Sequence, residues 1–253
     1  MLGNRLPTIA AVAFLVAAVT PPALGVAGLK IGAHGEFANE SLTVRGATRI
    51  FRLVVPRSVD LTHPAPLVFA FHGMAIDSKD LMPKYSKLNE TAERHRFIVV
   101  YPNAVGGSWG LSVRKAVADI AFFDALRQHL AQLHRIDSER IYALGMSNGG
   151  YFAHLLARER STTIAAVASH SGPLGLQTLG GVKAARKFPV FIVHGTADKI
   201  FPVSFARENV EKYRREGHEV EYVEVPGLGH IWANKIAVNE KIWEFFASHP
   251  RGQ

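Results

Sequence analysis

Cysteine is absent from the 253-residue chain, which excludes disulfide staples, thiolate metal sites and a cysteine nucleophile. Also missing are HExxH, GxGxxG and P-loop patterns, so zinc-peptidase, dinucleotide and P-loop chemistry have no basis here, and no metal or cofactor is expected. Positive charge is in excess, at a formal +8, but it is never concentrated: pairs such as Arg186-Lys187 and Arg214-Arg215 are as far as it goes. A run of roughly five to eight basic residues would mark a polyelectrolyte patch; scattered cations describe a solvated surface, with no nucleic-acid partner. Repeats, low-complexity tracts and long linkers are lacking too. One pronounced leader-like hydrophobic stretch stands apart, Ile9 to Val19, preceded by Arg5 and followed by Pro21-Pro22 and small residues. It is too short to span a bilayer and reads as a signal peptide over residues 1–27, cleaved after Gly25 or Ala27. A secreted or periplasmic enzyme without stable membrane insertion is expected, with one domain over residues 28–253.

What is present is an alternation of strand and helix candidates from Thr48 onward. Leu67 to Phe71, Phe97 to Tyr101, Ile141 to Leu144, Ile164 to Ala168 and Val190 to Val193 are continuous apolar runs, the pattern of strands buried on both faces of a parallel sheet. Val220 to Val225 is more polar and reads as nearer an edge, and Ile50 to Val55 as an earlier antiparallel strand. Helices are predicted over Ala116 to His134, where Phe122, Leu126, Leu130 and Leu133 recur at helical spacing, and over Phe205 to Glu216 and Ile236 to Phe246. The fold class is α/β, a mostly parallel central sheet flanked by helices. Ligands bind such sheets beyond the strand C-termini, so the irregular segments Asn103 to Arg114 and Ser169 to Lys187 are expected to line the pocket.

At the end of the Ile141 to Leu144 run stands Gly145-Met146-Ser147-Asn148-Gly149-Gly150. The GxSxG pattern alone is weak, but an apolar strand precedes it and Tyr151 to Arg158, of helical composition, follows. A sharp strand-turn-helix connection strains its central residue and needs small neighbours. It also sets helix N–H groups and the positive end of the dipole beside the Ser147 hydroxyl. Ser147 is therefore the candidate nucleophile, which needs a neutral histidine base and a carboxylate to orient it. Asp198 follows the Val190 to Val193 run, and His230 follows Val220 to Val225, in the chain order Ser, Asp, His. Asp77 precedes the serine, and Asp119 and Asp124 lie on the predicted helix, so Asp198 fits better. His72 and His194, each before a glycine at a strand end, read as loop-ordering residues. The expected oxyanion donors are the N–H groups of Asn148 and of Met74, after Phe71-His72-Gly73.

The segments Phe71-His72-Gly73, Tyr101-Pro102-Asn103, Ile136-Asp137 through Tyr142, Gly145 to Gly150, His194-Gly195-Thr196-Ala197-Asp198 and Gly229-His230 resemble secreted α/β-hydrolases of the polyhydroxybutyrate depolymerase and feruloyl esterase type. The likeness covers most of the chain after Thr48. It implies a cofactor-independent Ser147-Asp198-His230 triad cleaving carboxylic esters, with Met74 and Asn148 as oxyanion donors. Ser108-Trp109 resembles a loop bordering the active site, which implies substrate contact for Trp109. The implied partner is a small-molecule or polymeric ester; a polyhydroxyalkanoate depolymerase and a serine peptidase on the same fold are the alternatives, because both use the same triad. Many such relatives carry cysteines near the site, and this chain has none. Mass spectrometry of the exported protein should find a mature N-terminus directly after Gly25 or Ala27, and an intact Met1 would refute the leader.

Overall fold

The computed structural model describes residues 31–74, 80–175 and 182–252; the expected leader and Asp77 lie outside them. Strands β1 (Gly35–Val44) and β2 (Ala47–Val55) pair antiparallel, and β2 runs antiparallel to β4 (Ile98–Pro102). The remaining pairings are parallel and add β3 (Ala65–Phe71), β5 (Ile136–Met146), β6 (Val167–His170), β7 (Val190–Gly195) and β8 (Val220–Val225), in the spatial order β1-β2-β4-β3-β5-β6-β7-β8. Phe71 lies opposite Gly145, Met146 opposite His170 and Gly195 opposite Val225. The C-terminal ends of six successive strands in space, β4-β3-β5-β6-β7-β8, thus share one rim. The mostly parallel sheet expected from the apolar runs is present, and the more polar Val220–Val225 strand is indeed at an edge.

Period-two geometry explains why the central strands show no polar face. Leu67, Phe69 and Phe71 enter a layer with Phe122, Leu126 and Leu130 of α3 (Val113–Leu133), Phe152 and Leu156 of α4 (Asn148–Glu159), and Val210 and Tyr213 of α5 (Ser204–Arg215). Their neighbours Val68 and Ala70 enter the opposite layer, with Met82 of α1 (Leu81–Ser86), Leu88 and Ala92 of α2 (Leu88–His95), and Ile242, Phe245 and Phe246 of α6 (Val238–Ser248). With helices on both sides, every residue of such a strand is buried.

Departures from the sequence reading have local causes. β1 shows no apolar run because it is an edge strand whose register shifts between Phe37 and Glu40, a bulge that interrupts alternation. The run Ile164 to Ala168 leads into β6 rather than forming it, since the strand extends through Ser169 and His170, both fully buried. Helices α1 and α2 are separated by Lys87 in the left-handed region (φ 54°) and are too short to advertise a helical stripe.

A buried ion pair fastens β2 to α3. Arg49 Nη2 lies 2.8 Å from Asp119 Oδ1, with side chains 4% and 2% exposed, and the guanidinium sits 4.2 Å from the centroid of Phe122. The other Asp119 oxygen accepts the Gly110 N–H at 3.0 Å, tying in the loop after β4. Asp119→Ala would strand the guanidinium in the core, and the expected loss is about 3–5 kcal/mol. Chemical denaturation measures it; a loss under about 1 kcal/mol would show that water reaches Arg49 in the variant.

Candidate active site

Ser147 occupies the corner between β5 and α4 with φ 56° and ψ −122°, a combination that costs a non-glycine residue strain. Two glycines make the corner feasible. A Cβ at Gly145 would fall 2.1 Å from the Gly149 carbonyl oxygen, and one at Gly149 would fall 2.2 Å from that of Phe71. The Ser147 N–H donates to the His170 carbonyl at 2.8 Å and its carbonyl accepts from Tyr151 at 2.9 Å, so the corner is bonded to β6 on one side and to α4 on the other. Asn148 is the first residue of α4, where free helical amides concentrate positive potential.

Asp198 and His230 come together from the loops after β7 and β8. His230 Nδ1 lies 2.7 Å from Asp198 Oδ2, while Asp198 Oδ1 accepts the N–H groups of Ile200 and Phe201, each at 2.9 Å. His194 Nε2 is 3.3 Å from Asp198 Oδ2 and 2.7 Å from the Phe201 carbonyl. Burial works to raise the Asp198 pKa, but the bonds from His230, Phe201 and Ile200 outweigh it and hold the carboxyl below its ordinary value. The group stays ionised at neutral pH and loses its contribution only as pH falls through that depressed value. The competing carboxylates are engaged elsewhere: Asp119 with Arg49, and Asp124 with Arg160 at 2.7 Å.

Ser147 and His230 both line a cavity of about 330 Å³ whose other walls include Gly73, Met74, Leu81, Tyr85, Met146, Ile231 and Trp232. Among the described residues, no Lys, Arg, Asp or Glu side chain contributes to it. A Cβ at Gly73 would stand 3.4 Å from that of Ser147, so the turn carrying Met74 runs directly beside the serine. His72 fixes that turn from behind: its Nε2 accepts the Ala104 N–H at 3.1 Å, which places the proton on Nδ1, 2.6 Å from the Gly73 carbonyl. Burial pushes the His72 pKa down to about 4, against a bond to Gly73 that raises it, so the ring is neutral.

Trp109 is not in the cavity wall. It is fully buried, stacked on Phe152 with centroids 5.0 Å apart and edge-on to Phe71 at 5.2 Å, and its Nε1–H donates to the His72 carbonyl at 3.1 Å. Its backbone is clamped by the Asn148 side chain, whose Oδ1 accepts the Trp109 N–H at 2.6 Å and whose Nδ2 donates to the Trp109 carbonyl at 3.1 Å. The expected substrate contact is therefore corrected to support of the residues next to Ser147, because a flat ring with one N–H packs best where apolar faces and a carbonyl meet. Among the described residues, neither Asn103 to Arg114 nor Ser169 to Lys187 lines the cavity. Its aromatic walls are Tyr85 and Trp232, centroids 6.0 Å apart. Trp232 was within reach of sequence reasoning, being two residues past His230; Tyr85 was not, since α1 carries no motif.

An open, mostly parallel sheet with a serine corner at the end of β5, and with aspartate and histidine on the next loops of the same rim, defines an α/β-hydrolase. The chain belongs to the phospholipase/carboxylesterase family, whose model matches residues 116–245, just over half of it. It is 31% identical over 186 residues to the bifunctional acetylxylan esterase/xylanase XynS20E of Neocallimastix patriciarum, covering 71% of this chain but 26% of that protein. To feruloyl esterase D of Neurospora crassa it is 25% identical over 199 residues, covering 74% of this chain and 66% of the relative. In fold it resembles a CE1 ferulic acid esterase of the anaerobic fungus Anaeromyces mucronatus, with a TM-score of 0.64 at 18% identity over 88% of this chain and 92% of that one. The α/β-hydrolase esterase resemblance drawn from the motifs is thus sound, and the chain spans about a quarter and about two thirds of the two curated relatives.

Trp109→Ala should cost about 3–5 kcal/mol of stability while leaving the enzyme's ranking of small against bulky esters unchanged. Trp232→Ala should change that ranking. The reverse pattern, by thermal melts and initial rates on an ester series, would return Trp109 to the substrate.

Proposed function

We propose that the protein is an exported serine hydrolase of neutral carboxylic esters, with Ser147 as nucleophile, His230 as base and Asp198 as the group that orients the base. The observation that carries this reading is the His230–Asp198 bond of 2.7 Å on a cavity that also receives the strained Ser147. Asp198 occupies Nδ1 of His230, which leaves Nε2 to take the Ser147 proton as Oγ attacks the acyl carbon. The tetrahedral oxyanion is stabilised by the Asn148 and Met74 N–H groups, the former reinforced by the start of α4. Collapse expels the alcohol, protonated by His230, and leaves an acyl-Ser147 ester. Water activated by the same histidine then releases the acid.

Among the described residues the cavity wall carries no carboxylate, ammonium or guanidinium group, which favours uncharged acyl and alcohol portions, because a desolvated substrate charge would find no partner on that wall. Met74, Leu81, Tyr85, Ile231 and Trp232 provide apolar surface for the substrate. Acetyl and feruloyl, the groups in the names of the relatives, are the first acyl groups to compare, with butyryl and octanoyl as apolar controls.

Wild type should be labelled stoichiometrically by a fluorophosphonate, and Ser147→Ala should fold but remain unlabelled and inactive. Asp198→Asn should keep the fold and lose up to about 10⁴-fold in turnover, because the imidazole is then held in the wrong tautomer. Labelling of Ser147→Ala at another serine, or near-normal turnover of Asp198→Asn, would defeat the assignment.

A further inference from the structure

His170, the last residue of β6, touches both halves of this machinery. Its carbonyl accepts the Ser147 N–H at 2.8 Å, one step beyond the pairing of Met146 with His170. Its ring reaches the other way, where Nε2 accepts the Ala233 N–H at 3.0 Å, on the loop that carries His230. The same ring lies on Trp232, with centroids 4.8 Å apart and planes inclined by 19°. An Nε2 that accepts must have its proton on Nδ1, and Nδ1 is 3.2 Å from the Ser171 hydroxyl, which can receive it. His170 is fully buried, and burial together with the neighbouring His194 and His230 pushes its pKa down to about 3, against the opposing pull of Asp198. The ring is a permanent neutral acceptor.

The His230 loop is held on both flanks. Before the histidine, the Leu228 carbonyl accepts the Ala197 N–H at 3.0 Å, and the Gly227 N–H donates to Thr196 Oγ1 at 2.9 Å. These bonds tie the loop to the segment bearing Asp198. After it, the His170 ring ties the loop to the strand that also fixes Ser147. Without the ring, the buried Ala233 N–H loses its acceptor, and a lost partner of that kind costs enough to shift a loop. A displacement of about 1 Å between nucleophile and base can cost on the order of a hundredfold in rate.

We propose that His170 is a positioning residue for ester hydrolysis: its carbonyl and its ring together set the separation of Ser147 from His230. The proposal rests on the Ser147-His230 reading given above. His170→Phe keeps a flat ring over Trp232 and removes the acceptor, whereas His170→Gln restores an acceptor at a reach close to that of Nε2. With active sites counted by fluorophosphonate, His170→Phe should lose about ten- to a hundredfold in kcat with KM little changed, and His170→Gln should recover most of the loss. Unchanged kcat in His170→Phe, whatever its thermal midpoint, would overturn the proposal, as would equal losses in the two variants.

If His170→Phe does not fold, the wild type decides. Its imidazole nitrogen resonances should show a neutral His170 with the proton on Nδ1 from about pH 5 to 8, and a ring protonated on Nε2, or one that titrates there, would overturn the proposal. Ser147→Ala in the same assay separates the two layers of inference. Activity surviving in that variant breaks the underlying reading, whereas activity lost there but kept in His170→Phe breaks only the positioning role.

Discussion

Where α4 begins, its backbone passes so close to the ends of β3 and β5 that a single methyl group at Gly145 or Gly149 would overlap carbonyl oxygens. The rest of the site is referred to that crossing. It forces Ser147 into a left-handed φ, at a cost of about 1–3 kcal/mol, and it fixes where the first amides of α4 lie. The strain is sustained because the helix cannot back away: Phe152, Ala153, Leu156 and Ala157 bury it against the sheet. Even the buried Trp109 belongs to this arrangement, since it packs on Phe152 and is clamped by the residue that follows Ser147.

Burial has opposite outcomes for the ionisable groups around the cavity, and their hydrogen bonds decide which. His72 and His170 each accept a backbone N–H through Nε2, a bond available only to the neutral ring, so desolvation and bonding agree. Asp198 is also buried but receives N–H donors from Ile200, Phe201 and His230, which reward the charged form. The result is an anion at Asp198 and neutral rings at His72 and His170. The Asp198 carboxylate lies 2.7 Å from His230 Nδ1, so its negative potential falls on that imidazole.

Much of this was legible in the sequence. Continuous apolar runs announce doubly covered strands, and the glycines around Ser147 announce a tight corner, because both are steric requirements that local composition must meet. The chain order placed Asp198 and His230 on the proper rim. What stayed hidden depends on long-range geometry. Trp109 lies in a loop beyond a strand end, as a substrate contact would, and only the fold shows its ring turned inward against Phe71 and Phe152. Ser169 and His170 ended the apolar run and so read as loop, although the sheet continues through them. Tyr85 reaches the cavity from a six-residue helix with too few turns to carry a pattern.

An open sheet leaves two outer strands, here β1 and β8, with backbone groups that another copy could extend. β8 reads Val-Glu-Tyr-Val-Glu-Val, apolar enough to be sticky, yet it carries Glu221 and Glu224, charges that a second copy would have to accommodate along the edge. Arg207 of α5 donates to both carboxylate oxygens of Glu224, each at 2.8 Å. At the opposite side the bulge between Phe37 and Glu40 spoils the regular ladder of β1. Charge marks one margin and irregularity the other, and both are features that disfavour the pairing of one sheet edge with another.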